Sequence, residues 1–185
     1  MIYIDNRANT QINPNSANPG RSGHSASIRC ALKIEETREK LAKHFGLSLP
    51  QNVIFTANCT TALNMAIFGY LKKGDHVIAT ENEHNSVLRP LEALKKEGII
   101  DYDIAFQSSP IGISLEDIKP LVRKNTAMII TNHISNVNGA KANIKEIGQF
   151  CKQNNILYLV DSAQSCGHEH INMEEDGINM LAFAG

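Results

Sequence analysis

The stretch LYLVDSAQS, residues 157–165, indicates the fold more clearly than any other part of the chain. Its first four residues form an apolar run with a bias toward strand formers, as expected of a strand buried on both faces of a parallel sheet. Asp161 follows directly, at the carboxyl end of this strand, where open α/β sheets bind their ligands. Asp is also a common helix cap. The stretch alone therefore leaves two interpretations of Asp161 open, a ligand-binding carboxylate and a cap for the next helix.

Short strand-like runs recur along the chain and alternate with helix-like segments. The helix-like segments show apolar residues at intervals of three and four, or capping pairs such as Ser114 with Asp117 and Asn143 with Glu146. Repeated strand–helix–strand units predict an α/β domain with a mostly parallel sheet covered by helices. The predicted strands are residues 1–5, 53–56, 76–80, 102–106, 127–132, 157–160 and 179–184.

For three of the predicted helices, the sequence indicates where they begin or end and which residues face the core. The first begins at Ser25 or Ser27 and runs to about Phe45, and the second follows the strand at residues 53–56. A third, at residues 87–96, contains Pro90, which a helix tolerates only in its first turn. The apolar residues expected to face the core are Ile28, Leu32, Leu41 and Phe45 in the first helix and Leu63, Ala66, Ile67 and Tyr70 in the second.

Charge and cysteine content argue against several classes of partner. The chain has 18 basic and 19 acidic residues and a formal net charge of −1, so nothing suggests nucleic acid or a membrane surface. No apolar run approaches the ~20 residues that span a bilayer, and the N-terminus shows no secretory signal. The four cysteines have no CxxC spacing. We therefore expect no metal site and no disulfide framework, with reduced thiols in the cytoplasm.

Polar side chains follow four of the predicted strands. Thr60 stands at a predicted helix start, where unpaired N–H groups favour a phosphate, with simple helix capping as the alternative role. His84 stands at another helix start, where most histidines are only solvated. Asn136 lies in a loop where forming a turn is its alternative role, and Gln164 follows Asp161.

One cofactor would use all four strand ends at once. No GxGxxG follows a strand and no GxxxxGK[ST] occurs, which argues against a dinucleotide or a P-loop nucleotide site. Pyridoxal phosphate (PLP) needs a phosphate site, a stacking partner for its ring, donors to its phenolate oxygen and a carboxylate beside its ring nitrogen. A carboxylate there keeps the nitrogen protonated, because opposite charges favour the ionised form.

Six motifs occur in order along the chain: NPGRSGH (18–24), FTANCTTALN (55–64), GDHVIATENEHNSVLRP (74–90), SNVNG (135–139), LVDSAQS (159–165) and MLAFAG (180–185). Together they resemble the cysteine desulfurases and their relatives in the class V aminotransferase family, over residues 1–185. The resemblance implies an α/β fold, the three-layer α/β/α large domain of PLP-dependent transferases of fold type I, present here incompletely. Residues 1–24 would be an N-terminal strand and loop segment, and residues 25–185 a partial PLP-binding large domain without the small C-terminal domain.

The resemblance assigns a role to each strand-end residue. Thr60 and the backbone at Cys59 would hold the phosphate of PLP. His84 would stack on the pyridine ring and act as an acid or base, which makes it the predicted catalytic residue. Asp161 would pair with the ring nitrogen. The resemblance also gives the phenolate oxygen two hydrogen-bond partners, Asn136 and Gln164.

The sequence departs from the family at the phosphate turn and at its last residues. Asn58 and Thr61 stand where the family usually has Gly and often Glu, and Ala184 replaces a hydroxyl residue that usually helps to bind phosphate. The family's Schiff-base lysine normally comes two residues after the Gly that matches Gly185. Covalent attachment of PLP at the usual lysine is therefore not expected within residues 1–185. The nearby substitute is Lys141, for which a solvated surface position is the alternative.

The family's large domain also has an antiparallel strand after that lysine, between the strands matching residues 179–184 and 53–56. Without it, we expect two unpaired ladders inside the sheet. Buried unpaired backbone groups cost ~1–3 kcal/mol each, so the chain alone is expected to be marginally stable.

Three functional hypotheses follow. The first is a truncated or split cysteine desulfurase-like PLP protein that is inactive alone. The family converts L-cysteine to L-alanine, passes the sulfur to an enzyme cysteine and forms homodimers, and a separate C-terminal fragment would complete the enzyme here. The second hypothesis is a non-catalytic remnant or partner-binding subunit. The third is a fragment of a related class V aminotransferase or lyase.

Overall fold

Strands and helices alternate along the chain, as the sequence predicts. The computed structural model describes residues 2–4 and 25–184, so the loop expected after the first strand, which includes the motif at residues 18–24, and the expected boundary at residue 24 lie outside the described residues. The described strands are β1 (Ile2–Ile4), β2 (Val53–Phe55), β3 (Asp75–Thr80), β4 (Ile100–Ala105), β5 (Thr126–Asn132), β6 (Leu157–Asp161) and β7 (Met180–Ala182).

The helices lie between these strands. The described helices are α1 (Ser25–His44), α2 (Cys59–Tyr70), α3 (Asn85–Lys96), α4 (Leu115–Ile118), α5 (Ile144–Gln153) and α6 (Met173–Asp176), with 3-10 turns at Pro50–Asn52 and Lys119–Leu121. The capping box of Ser114 with Asp117 is confirmed, and the Asn143 side chain caps α5 as predicted. Within the described part of the chain, no helix has the length and apolar character needed to cross a membrane.

The strands form one sheet in the order β2-β1-β7-β6-β5-β3-β4, and every neighbouring pair is parallel. The chain leaves β3 toward β4 on one side and leaves β5 toward β6 on the other. The neighbouring strands β3 and β5 therefore mark the place where the direction of winding reverses. Open α/β sheets bind ligands beyond the carboxyl ends of the strands at such a place.

The first strand occupies a position that the sequence did not predict. The prediction of two unpaired ladders next to β2 and β7 is wrong, because β1 pairs in parallel with both strands. Ile2 is in register with Val53 on one side and with Leu181 on the other. A segment from the start of the described chain thus supplies the backbone partners that the prediction left missing.

Two apolar layers cover the two faces of the sheet, which gives the predicted three-layer architecture. Alternate residues of a strand point to opposite faces. In β6, Tyr158 and Val160 join the layer that contains Phe45 and Ile147, whereas Leu159 joins the layer formed with α2 and α3. Burial on both faces explains why the strand reads as a continuous apolar run.

Three predicted core residues are exposed instead. Ile28 and Leu32, near the start of α1, are 49% and 64% exposed, and Tyr70, the last residue of α2, is 38% exposed. Apolar spacing identifies one face of a helix but not which of its turns the sheet covers. The C-terminal end of α1 does pack on the core, with Phe45 only 1% exposed.

Pro90 lies in the second turn of α3 rather than the first, because the helix begins at Asn85. Proline has no N–H to donate to the carbonyl four residues earlier, here that of Ser86. The side-chain amide of Asn64 in α2 donates to this carbonyl instead, at 3.4 Å. A side chain thus replaces the lost backbone bond and ties α2 to α3.

Candidate functional site

A cavity of about 540 Å³ lies at the carboxyl ends of the strands. It is formed by the segments that follow β2, β3, β5, β6 and β7. All six residues that the sequence predicts for the cofactor site line it, and their roles stay predictions. The lining residues are Ala57, Asn58, Cys59, Thr60, His84, Ser86, Asn132, Asn136, Asp161, Ala163, Gln164 and Ala184.

The N-terminus of α2 provides a place for an anion. Asn58 caps the helix, because its side-chain oxygen accepts the Thr61 N–H at 2.7 Å. The alternative role of Thr60 as the cap is therefore wrong. Among the described residues, no acceptor binds the N–H or the hydroxyl of Thr60, which is exposed at the cavity. Both groups can donate to an anion, and the helix dipole favours a negative charge there.

His84 caps α3 with its ring. Its Nδ1 accepts the Ser86 N–H at 3.2 Å and lies 2.8 Å from the Ser86 hydroxyl. A nitrogen that accepts a backbone N–H carries no proton of its own, so the hydrogen bonds assign the proton of the neutral ring to Nε2. The exposed ring is thus held at the cavity in one tautomer.

Asp161 ends β6 and is only 4% exposed. Its Oδ1 accepts the Ala163 N–H at 3.0 Å and lies 3.8 Å from the Sγ of Cys59. No helix starts here, since the next helix, α6, begins at Met173 and is capped by Asn172. The interpretation of Asp161 as a helix cap is therefore wrong. Burial raises its pKa, so a cation placed beside it would be strongly favoured.

A buried histidine joins the two loops that carry Asn136 and Gln164. The His133 N–H donates to the Asp161 carbonyl at 2.9 Å, and its Nδ1 lies 2.8 Å from the Ser165 hydroxyl. Burial lowers the pKa of His133 to about 4, so the ring is neutral at physiological pH. Asn136 and Gln164 are exposed at the cavity.

Sequence reasoning missed two residues that build the site. They are His133 and Glu83, to which the sequence assigns no role. Glu83 is 7% exposed and accepts hydrogen bonds from the Thr80 hydroxyl and the Asn132 N–H. The signal that could have found both is their position, because each polar residue comes directly after or close behind a buried strand.

Lys141 is not placed to replace the family's lysine. Its Nζ forms an ion pair with Glu169 at 2.6 Å, and it lines a different cavity of about 480 Å³. The residues that line the 540 Å³ cavity in the described chain include no lysine.

Comparison with known proteins finds similar sequences of known family. The sequence model of the family described as "Aminotransferase class-V" matches residues 5–185. The cysteine desulfurase IscS of Serratia proteamaculans (strain 568) is 30% identical over 202 residues, which cover 100% of this chain and 50% of that protein. A probable cysteine desulfurase of Borreliella burgdorferi is 32% identical and is covered to 48%. The chain spans about half the length of these relatives.

Solved structures share the fold. A structure described as SspA in complex with cysteine has a TM-score of 0.84 at 28% identity, with 91% of this chain and 49% of that chain covered. The apo cysteine desulfurase of Thermococcus onnurineus NA1 has a TM-score of 0.82 at 28% identity, with 92% and 43% covered. The predicted α/β architecture, that of the fold type I large domain, is confirmed over the part that this chain covers.

Proposed function

Because the chain belongs to the class V aminotransferase family, we propose that it is the cofactor-binding part of a cysteine desulfurase-like protein. The cofactor is PLP and the substrate is L-cysteine, whose sulfur passes to an enzyme cysteine and leaves L-alanine. The observation that carries the proposal is that Thr60, His84 and Asp161, from three separate segments, line one cavity. The cysteine bound in the SspA structure supports the choice of substrate.

The cavity lining fits PLP in charge and in hydrogen-bonding capacity. The N-terminus of α2 offers the donors of Thr60 to a phosphate. Asp161 offers a buried carboxylate to a protonated ring nitrogen. Asn136 and Gln164 offer amide donors to a phenolate oxygen. When bound, the cofactor supplies an electron sink for a carbanion at the substrate's α-carbon.

Each side chain then has its own task. Asp161 keeps a proton on the ring nitrogen, because a buried carboxylate and a cation stabilise each other's charged forms. His84 stacks on the ring, and its Nε2–H is the hydrogen-bond donor that it presents to the cavity while Nδ1 stays bonded to Ser86. Thr60 holds the phosphate through its N–H and hydroxyl.

A lysine must come from elsewhere for the family's chemistry. The described lining contains none, so we propose that these residues hold PLP by non-covalent contacts and that the chain is inactive alone. A segment outside residues 1–185, on the same or a separate polypeptide, would provide the lysine and complete the enzyme. The relatives are about twice as long as this chain and can contain such a segment.

A two-step binding experiment tests this proposal. Residues 1–185 are first titrated with PLP by equilibrium dialysis and absorbance. A polypeptide that begins one residue before the family's Schiff-base lysine, taken from one of the relatives, is then added together with L-cysteine. We expect PLP binding by the chain alone and alanine formation only in the mixture. The exposed substitution Glu97→Gln serves as the control.

Absence of PLP binding, both by the chain and by the mixture, would contradict the proposal. PLP binding without alanine formation by the mixture would favour the alternative of a non-catalytic PLP-binding subunit. Turnover of another amino acid in place of L-cysteine would favour a related class V aminotransferase or lyase.

A further inference from the structure

Glu83 is a buried carboxyl group that none of the roles above uses. Its Oε1 accepts hydrogen bonds from the Thr80 hydroxyl and, at 2.6 Å, from the Asn132 backbone N–H. Its Oε2 is buried and has no hydrogen-bond partner in the described chain. Thr80 is the last residue of β3 and Asn132 the last residue of β5. The Glu83 side chain therefore joins the ends of the two strands between which the winding direction reverses.

The position of Asn132 affects the cavity directly. Asn132 is in register with Asp161 of β6, and its side-chain amide donates to the Asn82 carbonyl at 3.2 Å. It also lines the cavity, and the loop that carries Asn136 begins just after it. The direction in which the chain leaves β5 therefore decides where Asn136 lies.

We propose that Glu83 is a positioning residue: by holding the end of β5 to the end of β3, it fixes Asn132 and the Asn136 loop at the cavity. The ligand part of this inference rests on the proposed function. The holding of the two strand ends does not, because it follows from contacts within the chain.

The charge state of Glu83 fits this role. Burial raises the pKa of Glu83 to about 8, and the negative charge of Asp161 on β6 adds to the shift. The other ionisable groups near it are Tyr158 on β6, whose pKa is raised by burial, and the neighbouring His84. At neutral pH Glu83 is therefore uncharged. Among the described residues that line the cavity, Asp161 is the one with an acidic side chain. Ionisation of Glu83 adds a second negative charge near that of Asp161, and the two charges repel each other.

Hydrogen exchange and ligand binding together test the inference. The variants are Glu83→Gln, which keeps an accepting oxygen but cannot ionise, and Glu83→Ala, with Glu97→Gln as an exposed control. Amide exchange at Asn132 and residues 133–136 is measured without ligand from pH 6 to pH 9, corrected for intrinsic rates, and PLP affinity is measured in parallel.

We expect Glu83→Ala to speed exchange of the Asn132 amide by about tenfold and to weaken PLP binding by a similar factor, as for a buried donor that loses its acceptor. Glu83→Gln stays within about twofold of the wild type at pH 7. Between pH 6 and pH 8 exchange of this amide accelerates in the wild type but not in Glu83→Gln, because opening exposes a carboxyl group that ionises in water.

Unchanged exchange in Glu83→Ala, or the same rise between pH 6 and pH 8 in Glu83→Gln as in the wild type, would overturn the inference. If Glu83→Ala does not fold, the comparison of the wild type with Glu83→Gln across pH decides it. If the wild type binds no PLP, the proposed function fails, and the exchange measurements still decide the role of Glu83.

Discussion

The Sγ of Cys59, the first residue of α2, lies 3.8 Å from Oδ1 of Asp161, the last residue of β6. The Ala163 N–H donates to the same oxygen. Oδ2 of Asp161 accepts no hydrogen bond from the described residues, and it is the oxygen left for a cation. The two contacts on Oδ1 therefore orient the carboxylate whose charge the proposed function requires.

Replacing Cys59 tests this orientation. Cys59→Ala removes a donor to Oδ1, and since a thiol is a weak donor we expect PLP binding to weaken only about two- to fivefold. Cys59→Ser keeps a donor and should bind PLP within about twofold of the wild type. Both dissociation constants can be measured by absorbance titration. Equal weakening in Ala and Ser variants would show that the thiol contact does not orient Asp161.

Thr60→Val tests the anion site at the start of α2. The substitution removes the hydroxyl but keeps the backbone N–H, so binding of PLP should weaken by about tenfold. Binding of pyridoxal, which has no phosphate, should not change. The ratio of the two affinities isolates the phosphate contribution, and an equal loss for both ligands would place the phosphate elsewhere.

The bond from Asn64 to the Ser86 carbonyl gives a prediction about stability. Asn64→Ala leaves that partly buried carbonyl without this donor and should lower the free energy of unfolding by about 1 kcal/mol. The loss should largely vanish in a Pro90→Ala background, because alanine restores the backbone N–H that proline lacks. Denaturant unfolding of the two single variants and the double variant measures the coupling. Additive effects would contradict the compensation.

Two of the buried ionisable groups, His133 and Glu83, predict opposite effects of pH on stability. The pKa of His133 is lowered to about 4, so its contribution is present above about pH 6.5 and is lost as pH falls toward 4. The pKa of Glu83 is raised to about 8, so its contribution is present below about pH 4.5 and is lost as pH rises through 8.

Substitutions separate the two effects. His133→Asn should flatten the acid side of the stability profile, and Glu83→Gln should flatten the alkaline side. His168→Asn, at an exposed position, should change neither side. Thermal unfolding at half-unit steps from pH 4 to pH 9 provides the profile. An unchanged acid side in His133→Asn would show that His133 does not titrate as described. An unchanged alkaline side in Glu83→Gln would show the same for Glu83.

The sequence predicted the elements that carry local signals. The runs that end at Thr80, Asn132 and Asp161 were apolar on both faces, so strands and their polar ends could be located. In parallel strands, those ends necessarily meet at one edge, and the predicted site residues do line one cavity. Helix α6 was missed, although Asn172 before it and Gly177 after it, at φ 72°, are the usual start and stop signals.

What the sequence did not predict depends on contacts between distant segments. The pairing of β1 with both β2 and β7 follows from no local pattern, because a three-residue strand contains no information on its neighbours. For Glu83, the position just after β3 is a local signal, but its contact with the end of β5 depends on distant packing. Ile28 and Leu32 show the opposite error. Their apolar spacing predicts burial, but no described residue covers them.

The proposed function depends most directly on a protonated ring nitrogen beside Asp161. The ¹⁵N chemical shift of PLP labelled at that nitrogen, recorded with the wild-type chain and with Asp161→Asn at equal saturation, measures its protonation. We expect the shift of a protonated nitrogen in the wild type at pH 8 and that of an unprotonated nitrogen in Asp161→Asn, with affinity reduced at least about tenfold. An unprotonated nitrogen in the wild type, or the same shift in both proteins, would contradict the proposed site.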